Sequence, residues 1–227
     1  MKIDNYKHIS LDLWLTLIRS HPDFKRKRNV LFKEIFSINQ SIDEVEKIFR
    51  KYDLTINSIN EKTGKNIDTD EIIWFILYEL KGLGLKENKI KVDEFMKEMN
   101  TLFLKYPPVV LEKNLFENLK LIADKNITLN ITSNTGFIKG KIIKNFLDSI
   151  KLKDYFSFLL FSDELNISKP NPKIFKKVWE NCNQKIDKSE VLHIGDNPIA
   201  DELGAKSFGF STYLYSQTNN LEKLIYG

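Results

Sequence analysis

From residue 111 onward, helical periods alternate with short apolar runs, and this rhythm leaves few architectures open. A helical pattern over "NLFENLKLIADK" precedes the run "ITLNITS". "GFIKGKIIKNFLDSI" precedes "FSFLLFS", "PKIFKKVWENC" precedes "EVLHIGD", and "IADELGAKSF" precedes "STYLY". Short strands without a polar face, separated by helices, belong in a parallel sheet covered by helices on both sides. The early run "HISLDLW" has the same character, although the stretch 22–106 separates it from the others. The fold class expected is α/β, a doubly wound parallel sheet interrupted by an all-helical insert.

The insert reads as four helices, "DFKRKRNVLFKEIF", "SIDEVEKIFRKYDLTINSI", "DTDEIIWFILYELKGL" and "VDEFMKEMNTLFLKY", each with apolar residues three and four apart. Ser41 and either Asp68 or Thr69 are the expected N-caps, and Gly82 with Gly84 should close the third helix. Pro107 and Pro108 in "YPPVVL" cannot continue a helix and mark a boundary. The expected division is a core of 1–18 and 107–227 and a helical cap of 19–106. No internal repeat or low-complexity segment is present.

Composition narrows the function classes. With 42% hydrophobic and 29% charged residues, the chain reads as a globular protein, and no apolar run approaches the roughly 20 residues that cross a bilayer. The N-terminus MKIDNYKHIS lacks the apolar core of a secretion signal, and the single Cys182 cannot form an intrachain disulfide. Both point to the cytoplasm. The net charge of +4 is spread through the chain among acids rather than gathered on one face, so no nucleic-acid partner is expected, and no membrane partner either. A monomer or a homodimer is equally compatible.

In an open α/β sheet, ligands bind beyond the carboxyl ends of the strands. The residues just after each apolar run form a consistent set: Asp12 and Thr16; Thr132, Ser133 and Asn134; Lys169 in "SDELNISKPNP"; Asp196 and Asp201. Carboxylates, a hydroxyl, an amide and an ammonium at one edge suit an anion held beside a divalent metal. Mg²⁺ takes oxygen ligands, which Asp12 and Asp196 can supply. With Lys169 screening Asp12, that carboxylate can attack phosphorus and form an acyl-phosphate, while Ser133 and Lys169 hold the equatorial oxygens.

Four segments in this order, "LDLWLTL", "NITSN", "SKPNPKIF" and "IGDNPIAD", resemble the motifs of the haloacid dehalogenase superfamily, with the helical stretch where that family inserts its small cap. The resemblance implies a hydrolase, most often a phosphatase of a small phosphorylated metabolite, with Asp12 as nucleophile. It implies Mg²⁺ held by Asp12, Asp196 and the backbone carbonyl of Trp14. Thr16, Ser133 and Lys169 would bind phosphate and steady the nucleophile, Asp201 would support the metal shell, and Asn134 would contact substrate.

One position departs from that pattern. Most phosphatases of the superfamily carry a second aspartate two residues after the first, which protonates the leaving oxygen and then activates water; here it is Trp14. An indole N–H donates but does not exchange a proton near neutral pH. General acid-base help is worth about 10²–10⁴-fold, so slow chemistry, a good leaving group or a substitute residue is expected. The metal ligand survives, being backbone.

Two rival readings follow from Trp14. The 2-haloacid dehalogenases carry an aromatic residue there and use no metal, but their fourth motif has serine and asparagine where this chain keeps "IGD". A binding protein with the same pocket and negligible turnover is the other. Phosphonate-cleaving relatives use a cap lysine, for which Lys25, Lys27 and Lys33 are better read as a charged solvated face. Arg19, Lys25, Arg26 and Arg28 in "RSHPDFKRKR" could meet an anionic substrate but are read as solvated surface too. His193 is read as a packing residue of a buried strand, and His8 and His21 form no metal set.

Overall fold

The computed structural model describes residues 3–82, 89–182 and 186–226. In chain order its elements are β1 (His8–Leu11), β2 (Ile18–Arg19), α1 (Phe24–Phe36), α2 (Ile42–Thr63), α3 (Thr69–Lys81), α4 (Lys89–Lys105), β3 (Val109–Val110), α5 (Leu115–Asp124), β4 (Thr128–Ser133), α6 (Gly140–Ser149), β5 (Phe158–Phe161), α7 (Ser162–Leu165), α8 (Pro172–Asn181), β6 (Val191–Gly195), a π-helical turn (Pro198–Leu203), α9 (Gly204–Phe208), β7 (Ser211–Leu214) and α10 (Leu221–Tyr226).

Five strands form a parallel sheet in the order β5-β4-β1-β6-β7. The chain winds outward from β1 on one side through β4 and β5, then crosses to build β6 and β7 on the other. The crevice that opens where such a winding reverses lies at the carboxyl end of β1, where ligands bind in this class of sheet. Register makes the point concrete, since Leu11 pairs with both Ile131 and Ile194. Asp12, Thr132 and Gly195 therefore leave the sheet at one level.

The sheet is buried on both faces, as its apolar strands require. Leu192 and Ile194 join the large cluster with α5, α6 and the inserted helices, while Val191 packs with Ile174, Phe175 and Ala205 of α8 and α9. On that second face β1 and β4 carry an unexpected polar line. His8 Nε2 meets Asn130 Oδ1 at 2.9 Å, and Asn130 Nδ2 and Ser10 Oγ both donate to Thr132 Oγ1, at 2.8 and 3.1 Å. Each buried polar group thus finds a partner inside the sheet, which is what makes its burial tolerable.

The insert is the four helices α1–α4, as expected. Ser41 opens α2 with a capping box to Glu44, and Asp68 opens α3 with one to Glu71; such caps are each worth about 1 kcal/mol. Gly64 and Gly82 close α2 and α3 in the left-handed conformation, at φ 65° and 62°. Gly84 lies outside the described residues. Phe32 gathers Phe36, Phe49 and Phe95 at ring separations of 4.7, 5.0 and 5.2 Å. Two linkers join insert to sheet. Pro107 and Pro108 do stop the helical run, but the chain returns as β3, which pairs antiparallel with β2 so that entry and exit form one ribbon. No helix among the described residues is long and apolar enough to cross a membrane.

Candidate active site

The loop after β1 is wound tightly. The Asp12 N–H donates to Ile194 O at 2.8 Å, extending the ladder by one residue, and the Leu17 and Ile18 N–H groups both fold back onto Leu13 O. Leu15 takes the strain, with φ 62° and its side chain 60% exposed. The turn carries Thr16 Oγ1 back to Asp12 Oδ2, at 3.3 Å. Asp12 itself is buried.

Lys169 enters from the loop beyond α7 and is 1% exposed. Its Nζ bridges Asp12 Oδ1 at 2.7 Å and Asp201 Oδ1 at 2.5 Å. Its backbone is clamped by one side chain, because Asn134 Nδ2 donates to Lys169 O and Asn134 Oδ1 accepts from Lys169 N. Asp201 is fixed from three sides, by Lys169, by His193 Nε2 at 3.0 Å and by the Asn197 N–H on Oδ2 at 3.0 Å. Gly195 makes room for it: a Cβ there would stand 2.2 Å from Asp201 Cγ.

The charge states follow from this packing. Burial alone would push Lys169 down, but Asp12 and Asp201 outweigh it and hold the ammonium above its ordinary range. Burial would likewise raise Asp201, yet Lys169 and His193 hold it well below the usual carboxylate range. Asp12 is raised by burial, against the pull of Lys169. Asp196, half-buried, is pushed up to about 7 by burial and then by Asp12 and Asp201.

Asp12, Asp196 and Asp201 each offer an oxygen within 4.8 Å of the others. Both oxygens of Asp201 already accept hydrogen bonds, so a cation would draw on Asp12 and Asp196. The crowding that raises Asp196 is the kind a divalent cation relieves, and an all-oxygen donor set suits Mg²⁺. The residues present therefore fit the metal.

Beside this cluster, reached through Trp14 and Asn134, lies a cavity of about 630 Å³. Trp14 and Asn134 line its sheet side and Phe24, Arg28 and Asn29 its insert side. Trp14 is half-buried and packs edge-on against Phe103 of α4, with ring centroids 6.5 Å apart, so it serves both the cavity wall and the packing of the insert. Polar contacts tie the insert to the site loops. Gly64 O accepts from Ser168 N and Asn171 Nδ2, both at 3.1 Å; Thr69 Oγ1 donates to Gly136 O at 2.7 Å; Asn197 Nδ2 donates to Glu61 Oε1 at 2.6 Å.

Of the residues expected from sequence, Asp12, Thr16, Lys169 and Asp201 form one bonded cluster with Asp196 beside it. Ser133 ends β4, buried, with Oγ 3.4 Å from Asn134 O. The Asn134 amide is committed to the Lys169 backbone while still lining the cavity. Two readings need correction. His193 does pack edge-on against Phe175, but it also anchors Asp201. Arg28 is not solvated surface: it is 5% exposed, with its guanidinium 4.3 and 4.4 Å from the ring centroids of Phe49 and Phe137. Asn197 and Glu61 were not singled out at all. The π-helical turn supplies a signal after the fact, since Asn197 caps it through Ile199 and Ala200 N–H while its own N–H serves Asp201.

A family model described as haloacid dehalogenase-like hydrolase matches residues 11–214, almost the whole chain. The chain belongs to that family. Among curated relatives, this family member is 39% identical to the pyrimidine 5′-nucleotidase YjjG of Escherichia coli over 66 residues, 29% of each chain. Among solved structures it resembles the putative HAD-hydrolase YfnB of Bacillus subtilis bound to magnesium, with TM-score 0.66, 17% identity, 91% of this chain and 87% of that one covered. It also resembles the L-2-haloacid dehalogenase of Xanthobacter autotrophicus, with TM-score 0.60, 20% identity, 94% and 80% covered. The chain spans between 26% and 52% of the length of the first curated relatives it matches. The two solved structures show the fold they share with it and do not separate one chemistry from the other.

Proposed function

We propose that this hydrolase is an Mg²⁺-dependent phosphatase of small phosphorylated metabolites that works through an aspartyl-phosphate on Asp12. The observation that carries the reading is the retained carboxylate triangle of Asp12, Asp196 and Asp201, with Lys169 joining two of its corners. A metal-free displacement at carbon needs Asp12 and a cation but has no use for Asp196 crowded beside it. In this reading residues 1–18 and 107–227 form the catalytic core and 19–106 the cap, and the nucleotidase relative supplies a second, weaker pointer to phosphate esters.

The residues then divide the work. Asp12, held by Thr16 and Lys169, attacks phosphorus; the ester P–O bond breaks and the leaving oxygen departs with the bond electrons. Lys169 and the Ser133 hydroxyl bind the phosphoryl oxygens; Asp12, Asp196 and the Trp14 carbonyl would hold Mg²⁺, which would supply charge neutralisation of the phosphate. Asp201 keeps Lys169 ionised and pointed. Water then cleaves the acyl-phosphate and returns Asp12. Trp14 provides no proton to the leaving oxygen and no base for that water, so the second step is slow.

The test is phosphate release from a panel of phosphomonoesters and acyl phosphates, with Mg²⁺ and with chelator. Metal-dependent release is expected. Halide release from 2-haloacids, unaffected by chelator, would replace this reading with the dehalogenase. Tight phosphate binding with no turnover would leave the binding protein, the reading Trp14 itself favours.

A further inference from the structure

Lys169 of the core is paired with two carboxylates, but the buried cation on the insert side of the cavity is not. Arg28 is 5% exposed and lines the cavity, yet it stands in no ion pair among the described residues. Its Nε and Nη2 both donate to Asn29 Oδ1, at 3.0 and 2.9 Å, and the rings of Phe49 from α2 and Phe137 from the loop after β4, with centroids 5.4 Å apart, pack against it. Asn29, 1% exposed and in the same wall, has an Nδ2 without an acceptor. Its orientation is fixed, because flipping the amide would aim its NH₂ at the guanidinium. The two carboxylates nearest in the wall are already engaged: Asp53 lies 3.0 Å from Arg50 and Glu46 3.4 Å from Arg26.

A buried guanidinium without a counter-charge is costly unless something arrives to pair it. Nε and Nη2 are engaged with Asn29, while Nη1 makes no hydrogen bond among the described residues, so the Nη edge has donors to offer. A planar acceptor fits that edge, and a carboxylate pairs with it through parallel N–H···O bonds. Asn134, next to Ser133, and Trp14, two residues from Asp12, line the same cavity as Arg28, and its size exceeds that of a phosphate.

We infer that Arg28, held in place by Asn29 and packed against Phe49 and Phe137, binds a carboxylate on the substrate, making the substrate class phosphorylated hydroxy-carboxylic acids. This rests on the phosphatase reading for the phosphate end and on the cavity wall for the carboxylate end. Arg28 is a specificity residue, acting on binding of the remote group rather than on the phosphorus.

The experiment is kinetic. The whole chain, with Mg²⁺, is given phosphorylated hydroxy acids of increasing length, beginning with 2-phosphoglycolate and 3-phosphoglycerate, each against the ester that has a primary alcohol in place of the carboxylate. The wild type should favour at least one acid over its alcohol by roughly tenfold to a hundredfold in kcat/KM, mainly through KM. Arg28→Met should erase that ratio, with its fold checked separately by circular dichroism and thermal unfolding; Arg28→Lys should keep part of it. Hydrolysis of acids and alcohols with equal efficiency by the wild type overturns the inference and leaves the phosphatase standing. Should no ester be hydrolysed, the phosphatase reading fails, and calorimetric binding of the same pairs decides: affinity that requires the carboxylate and vanishes in Arg28→Met supports the subsite, and equal or absent affinity overturns it.

Discussion

Core and insert hold one buried cation each among the described residues, and the two are treated differently. Lys169, on the sheet side, is bonded to Asp12 and Asp201 and stands at the centre of a closed network. Arg28, on the insert side, has two aromatic rings packed against it and an amide on one edge but no carboxylate. The first cation is paired before any ligand arrives. The second is not. Side chains on the sheet side are placed by strand register and short loops, whereas the insert side is assembled from α1, α2 and a loop of the core, so its partner can come from outside.

Substitutions can break this contrast. Lys169→Met strands two buried carboxylates and should cost about 3–5 kcal/mol of stability, as removing one member of a buried ion pair does, along with all turnover; a denaturant midpoint measures it. Gly195→Ala drives a methyl into Asp201 and should cost roughly 1–3 kcal/mol, with loss of activity out of proportion to the small change in volume. Arg28→Met strands no charge. It gives up two cation–π contacts, each roughly 0.5–2 kcal/mol, and relieves the burial of an unpaired guanidinium, so its stability should stay within about 1 kcal/mol of wild type. A cost for Arg28→Met as large as that for Lys169→Met would show that the two cations are equally structural. The smallest effect tests the sheet-side loop: Leu15→Gly should stabilise by about 0.5–1 kcal/mol, because φ 62° suits glycine and penalises leucine, and thermal unfolding would register it.

The same contrast explains what the sequence made legible. Asp12, Lys169, Asp196 and Asp201 stand out because each follows a short apolar run, and position after a strand fixes position in space. The helical caps at Ser41 and Asp68 were equally readable, since their chemistry is local. Arg28 was not. It sits in "KRKR", where four cations follow one another, and only the helical phase set by neighbouring Phe24 and Phe32 distinguishes the one that turns inward. His193 and the polar line through His8, Asn130 and Thr132 were hidden for a different reason: single polar residues inside apolar strands look like packing until their partners on other strands are known. The pairing of β2 with β3 joins residues from the two ends of the insert, which no local pattern reveals.

The central claim is that Asp12 carries the phosphoryl group and that Trp14 leaves its release unassisted. The most direct measurement is an acid quench during turnover of the best phosphate ester, followed by mass analysis of the peptide containing residues 9–18. The account predicts one phosphoryl group on Asp12 in a large fraction of the molecules, and none in Asp12→Asn. A peptide that stays unmodified while phosphate is released, or an adduct that persists in Asp12→Asn, would contradict it.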